Sequence, residues 1–291
     1  MQPGCLECRL RHSAAQMRLI HSIMKTPVNT RQGSRIKRAP GAALGRRVCH
    51  AGQYIEAMPT PALARPMTAP SQCEVCHQWA TNALCADCIT RFAPAVTRCA
   101  CCGLRLGLAA PACGECLRMP PPFERTHCLA DYGFPWDALI TRFKFESAVE
   151  LAGELARRLH AALPADEPDA PTLVLPVPLS PRRLAERGYN QAWELARRVA
   201  RLRGVPARAD VLLRPGETAH QAELDRTARQ HNLRNAFMVD PRQRAAVQGR
   251  RVALVDDVMT TGATVREAAT ALRRAGAAAV HVWVLARTPD T

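Results

Sequence analysis

At 291 residues and 47% apolar, with no run near the roughly 18 apolar residues of a membrane span, the chain reads as a cytoplasmic globular protein of one or two domains plus a tail. Its net charge of +15 is uneven: residues 1–72 hold 11 Lys+Arg against 2 Asp+Glu, while the other 219 hold 29 against 23, so the body is only mildly basic and the electrostatic case for a nucleic-acid partner is weak. Thirteen cysteines, with no signal-peptide-like apolar block near the start, argue against disulfides and for metal ligation.

Residues 1–72 are rich in Arg, Pro, Ala and Gly ("RQGSRIKRAPGAALGRR") without sustained periodicity, and predict a disordered basic extension. Met58 and Met67 stand just before the first ordered-looking motif as alternative starts of the chain. Cys5 and Cys8 form a CxxC with no second pair nearby, for which chance is the simpler account.

Residues 73–128 form the next unit. Four CxxC pairs, Cys73/Cys76, Cys85/Cys88, Cys99/Cys102 and Cys113/Cys116, are separated by short gaps. Each CxxC turn offers two thiolates, and two turns complete a tetrahedral Cys₄ shell, so the spacing predicts two structural zinc ions. Sequential pairing is the simplest assignment; interleaved pairing and an iron–sulfur cluster are the alternatives. Gly103 and Gly114 follow ligands where tight knuckle turns call for positive φ. Cys49, Cys101 and Cys128 are expected not to ligate.

Residues 129–291 read as an α/β domain. Leu139, Phe143, Leu151, Leu155 and Leu159 fall at helical spacing. "TLVLPVP" (172–178) predicts a buried strand entering a loop. "PRRLAERGYNQAWELARRVARLRG" predicts a helix with Pro181 near its start and Gly204 beyond its end. "RVALVDD" and "AVHVWVLA" are further buried strands, with the helix "TVREAATALRRAGA" between them. Alternation of this kind predicts a mainly parallel sheet covered by helices on both faces.

The stretch "VALVDDVMTTGAT" (252–264) carries the chemistry. A buried strand delivers Asp256 and Asp257 to its carboxyl end, the edge at which open α/β sheets bind ligands. Thr260, Thr261 and Thr264 offer hydroxyls, while Gly262 lets the backbone N–H groups converge at a helix start, a cradle for phosphate. No lysine of Walker type is present. Two carboxylates beside a phosphate cradle suit a ligand with a vicinal diol, such as a sugar phosphate. Paired aspartates after a strand also hold Mg²⁺ in unrelated folds.

This stretch resembles the phosphoribosyl-pyrophosphate (PRPP) signature of type I phosphoribosyltransferases. From about Cys73 onward the chain is similar to the ComF family of competence-associated proteins, which join a zinc segment to such a domain. "RFKF" (142–145), "PVPLSPRRLAERGYNQ" (176–191) and "QAELDRTARQHNLRNAF" (221–237) carry the wider likeness. The resemblance implies that Asp256 and Asp257 hold the ribose hydroxyls and that Thr260, Thr261, Gly262, Ala263 and Thr264 cradle the 5-phosphate. It places Pro178 and Leu179 at the pyrophosphate and a closing loop at 214–234. It matches Arg187, Gly188, Tyr189, Asn190 and Gln191 to a family cluster of underived role. Lys144, the only lysine after Lys37, either binds pyrophosphate or snorkels from an apolar face.

The implied reaction is Mg²⁺-assisted phosphoribosyl transfer to a nucleobase-like acceptor with release of pyrophosphate. The alternatives are a non-enzymatic protein handling single-stranded DNA with the competence machinery, and a PRPP-sensing regulator.

Overall fold

The computed structural model describes residues 71–146, 148–215 and 236–289. All of them lie in one compact unit, Leu63–Thr291. The readings made for residues 1–70, including Cys5, Cys8 and Cys49, and for most of the loop at 214–234 lie outside the described residues.

The elements, in chain order, are β1 (Ser71–Gln72), β2 (Trp79–Ala80), α1 (Ala86–Phe92), α2 (Gly114–Arg118), β3 (Arg125–Asp131), α3 (Trp136–Phe145), α4 (Leu151–Ala162) and β4 (Leu173–Pro176). They continue with α5 (Pro181–Arg187), α6 (Gln191–Arg203), β5 (Leu212–Leu213), β6 (Met238–Val239), β7 (Arg251–Met259), α7 (Ala263–Arg274) and β8 (Ala279–Arg287). Four strands form a wholly parallel sheet in the order β3-β8-β7-β4. The uninterrupted apolar runs of β4, β7 and β8 are what such a sheet requires, because both of its faces are covered.

Alternation along β7 divides the core in two. Ala253 and Val255 pack with Trp136, Phe143, Leu155, Leu195 and Trp283, so this face is covered by α3, α4 and α6. Val252 and Leu254 pack with Val265, Leu272 and Val282, and this face is covered by α7. Cys99, Cys102, Cys116 and Phe123 belong to the second core, while Leu84 from the first cysteine segment belongs to the other. The two cysteine segments therefore hold opposite faces of one sheet.

The single helix expected from Pro181 to Arg203 is two helices. Gly188 closes α5 in the left-handed region at φ +77°, and the Asn190 side chain caps α6 by accepting the Trp193 N–H at 3.3 Å. The arginine-rich amphipathic pattern runs through the break and hides it.

Candidate functional site

The carboxyl ends of β4 and β7 lie side by side, with Pro176 in register with Val255. The Val177 N–H donates to the Val255 carbonyl at 2.8 Å, which sets the following loop, with half-buried Pro178 and Leu179, on the same edge as the aspartates. Asp256 and Asp257 are still within β7, so the period-two alternation sends their side chains to opposite faces. Asp257 is buried on the α3 side and pairs with Lys144 Nζ at 2.8 Å. Asp256 Oδ1 accepts the Asp257 N–H at 2.9 Å. Burial, and then the neighbouring Asp257 charge, pushes the Asp256 carboxyl up to about 7.

After Met259 the chain turns through exposed Thr260 and Thr261 to Gly262, at φ +79°. The positive φ demands glycine, whereas a Cβ there would meet only the movable terminal methyl of Met259, at 2.6 Å. The Ala263 N–H donates to Thr261 Oγ1 at 3.4 Å, and Gly262 stands at the cap position of α7. Exposed Thr260 and Thr261 thus precede the N-terminus of α7, whose unpaired N–H groups are in its first turn together with half-buried Thr264. Such an arrangement attracts an anionic oxygen cluster.

The Arg187–Gln191 segment acquires a role the sequence did not reveal. Gln191 Nε2 donates to the Lys144 carbonyl at 3.3 Å, and the Tyr189 hydroxyl donates to the Phe143 carbonyl. Asn190 Nδ2 donates to the Val177 carbonyl at 3.1 Å. These three side chains tie the end of α3, and hence Lys144, to the loop after β4. Arg187 lies over the Phe145 ring at 4.8 Å and donates to Gln191 Oε1 at 3.0 Å. A cavity of about 380 Å³ beside this edge is lined by Lys144, Phe145, Arg183, Glu186 and Arg187. Lys144 and Arg187 thus share one recess with Arg183 and Glu186, and Gln191 links the two through the Lys144 carbonyl and the Arg187 guanidinium.

Arg287, at the end of β8, is a further residue that sequence reasoning missed. It is buried, and donates to the carbonyls of Cys102 at 3.1 Å, Met259 at 3.4 Å, and Thr260. One guanidinium thereby joins a cysteine knuckle to the threonine loop. Arg287→Met would strand the Cys102 and Thr260 carbonyls at a cost of about 3 kcal/mol, while the Met259 carbonyl keeps the Thr288 N–H at 3.0 Å. The expected result is a melting temperature lower by about 6–12 °C, read by thermal denaturation.

The eight cysteines of the four pairs form two clusters with sequential pairing: Cys73, Cys76, Cys85 and Cys88, then Cys99, Cys102, Cys113 and Cys116, with sulfurs within 4.8 Å of one another in each. Both clusters use the same devices. The Cys85 and Cys113 side chains cap α1 and α2, and their N–H groups donate to Cys73 Sγ at 3.4 Å and to Cys99 Sγ at 3.2 Å. Against the cost of burial, these and neighbouring N–H groups draw Cys73 down to about 6 and Cys99 to about 7, favouring one thiolate in each cluster, while burial pushes Cys88, Cys102 and Cys116 up. Tetrahedral Zn²⁺ with Zn–S near 2.3 Å separates its sulfurs by about 3.8 Å. The Cys76–Cys85 and Cys102–Cys113 sulfurs stand 3.7 Å apart. The donor sets fit zinc.

Gly103 has the expected positive φ of +71°, and its space is closed by Thr126 Cγ2 at 2.9 Å. Gly114 does not; it is the first residue of α2, where a helical φ suffices. In the first cluster His77, at φ +58°, takes the left-handed position. Cys101 and Cys128 lie outside both clusters.

Residues 190–291 match the family model described as the phosphoribosyl transferase domain, which spans β7, the threonine loop, α7 and β8. Together with the parallel sheet, this makes the body of the molecule a phosphoribosyltransferase-type domain. The DNA utilization protein YhgH of Salmonella typhi is 37% identical over 237 residues, covering 76% of this chain and 99% of its own length. Competence protein F of Haemophilus influenzae is 35% identical over 212 residues, covering 72% of this chain and 92% of its own. The chain belongs to the ComF family.

Proposed function

We propose that the protein binds PRPP and transfers its phosphoribosyl group to a nucleobase-like acceptor, releasing pyrophosphate. In this reading residues 73–128 are a double zinc ribbon with two structural zinc ions, 129–291 are the phosphoribosyltransferase domain, and the protein acts in the cytoplasm. Among the described residues no helix is long and apolar enough to cross a membrane. The observation that carries the reading is the paired carboxylates of Asp256 and Asp257 beside the threonine loop at one sheet edge.

The carboxylates accept hydrogen bonds from the ribose 2- and 3-hydroxyls, and the 5-phosphate sits on the N–H groups and hydroxyls of Thr260 to Thr264. Lys144 and Arg187 face the pyrophosphate. Mg²⁺, for which the two carboxylates are fitting oxygen donors, would neutralise leaving-group charge when bound with PRPP. As the C1–O bond breaks, positive charge develops on the ribose, and the adjacent carboxylates stabilise it. The names of the relatives favour a second reading, in which the same pocket serves the handling of incoming single-stranded DNA without catalysis.

Incubation with PRPP, Mg²⁺ and a panel of nucleobases separates the two readings: base-dependent pyrophosphate release supports transfer. PRPP binding that persists with no release from any base favours a non-catalytic role, in which salt-sensitive retention on single-stranded DNA supports DNA handling and its absence supports PRPP sensing. A pH profile adds a check. Because the Asp256 pKa is raised to about 7, its acceptor form is filled only above that pH. PRPP affinity is expected to rise about tenfold from about pH 6 to about pH 8, and Asp256→Asn should flatten the profile.

A further inference from the structure

We propose that His127, Glu167 and His281 form a third metal site, apart from both cysteine clusters, that takes a divalent first-row transition ion. His127 Nε2 and His281 Nδ1 are each 3.6 Å from Glu167 Oε1, and the three ligand atoms lie within 4.8 Å of one another. Both imidazole nitrogens are buried without a hydrogen-bond partner in the protein, an arrangement that is costly unless something occupies the space between them. A tetrahedral ion with ligands at 2.0–2.1 Å sets neighbouring donors about 3.4 Å apart, close to the 3.6 Å seen.

Register explains how the ligands meet. His281 lies beside Arg125 of β3 and Ala253 of β7, so His127, two residues beyond Arg125, shares its face. Glu167 arrives from the segment between α4 and β4. His281 is three register positions before Asp256 along the strands, about 10 Å from the phosphoribosyl edge. The side chains of His281 and Glu167 are 2% and 4% exposed, whereas His127 is 18% exposed and opens the site to solvent. Three protein ligands then leave a position for water.

Two nitrogens and one oxygen select transition ions over Mg²⁺ or Ca²⁺. Burial lowers the proton affinity of both imidazoles, which favours the neutral, metal-binding form. Glu124 and Asp169 add negative charge around His281. The half-exposed Arg125 guanidinium, 3.3 Å from Glu167 Oε1, stands at the rim and must swing outward when metal enters.

The test is the Zn²⁺ content of the full chain after saturation and gel filtration, a suitable probe because zinc binds such ligands more tightly than Fe²⁺ or Mn²⁺. Glu167→Gln and His281→Asn are expected to retain one zinc fewer per chain than the wild type, with cooperative melting preserved. Wild type alone should also gain thermal stability as the last equivalent is added. Equal zinc content in wild type and a folded Glu167→Gln chain would overturn the proposal. Should His281→Asn not fold, His127→Asn and Glu167→Gln decide by the same criterion. A wild type that takes no more zinc than its eight clustered cysteines hold overturns it without any variant.

Discussion

Asparagine at both positions 256 and 257 is expected to weaken PRPP binding by 100-fold or more in calorimetric titration with Mg²⁺. Each carboxylate lost removes charge-assisted hydrogen bonds worth about 1.5–3 kcal/mol, and two such losses amount to roughly 3–6 kcal/mol. The fold should survive. Asp256 with its pKa raised to about 7 contributes stability below the ordinary carboxylate range that is lost as pH rises through 7, so a neutral asparagine there favours the folded state at pH 8. Against this, Lys144 loses its 2.8 Å partner Asp257 in a mostly buried setting. The two effects oppose, and the double variant should melt within a few degrees of the wild type at pH 8. Undiminished PRPP affinity in a folded double variant would remove the basis of the proposed site.

Loss of metal from the second cysteine cluster should be the more damaging of the two. Cys99, Cys102 and Cys116 are part of the core that contains Leu254 and Val282, and the segment is fastened to β3 by Thr126 Oγ1 donating to the Cys101 carbonyl at 2.5 Å. Structural zinc contributes on the order of 10 kcal/mol, comparable with the whole stability of a domain. Cys99→Ser is therefore expected to abolish the cooperative thermal transition. Cys76, by contrast, is exposed, and its segment contributes buried Leu84 to the other core, with Val75, Ile89 and Ala93 packed against it only in part. Cys76→Ser should fray the first cluster and leave the parallel sheet folded, with a melting point reduced by several degrees. Indistinguishable melting curves for the two variants would show that the clusters are equivalent supports.

Much of this was legible before any coordinates. The apolar runs of β4, β7 and β8 and the periodicity of α7 are signals of both type and place, and the CxxC spacing anticipated the two four-cysteine clusters. Lys144 stood out as an isolated lysine, yet its partner Asp257 is 113 positions away and no local pattern could join them. Tyr189, Asn190 and Gln191 were visible as a cluster, but their bonds run to backbone carbonyls of α3 and the β4 loop, which composition does not record. Arg287 is one arginine among many until three distant carbonyls converge on it. His127, Glu167 and His281 have no sequence spacing at all in common; parallel register alone brings the histidines together.

The strand order carries a consequence for how the protein comes to be made. β8, which follows β3, β4 and β7 in the chain, lies between β3 and β7. Until it emerges, β3 has no neighbour in the sheet and the second cysteine segment has no completed face to rest on. Closure of the sheet is a long-range event joining residues near 125 to residues near 285, which places it late and makes it slow relative to helix formation. A nascent chain halted before β8 would carry its cysteine segments and most of its helices but an open, adhesive sheet edge.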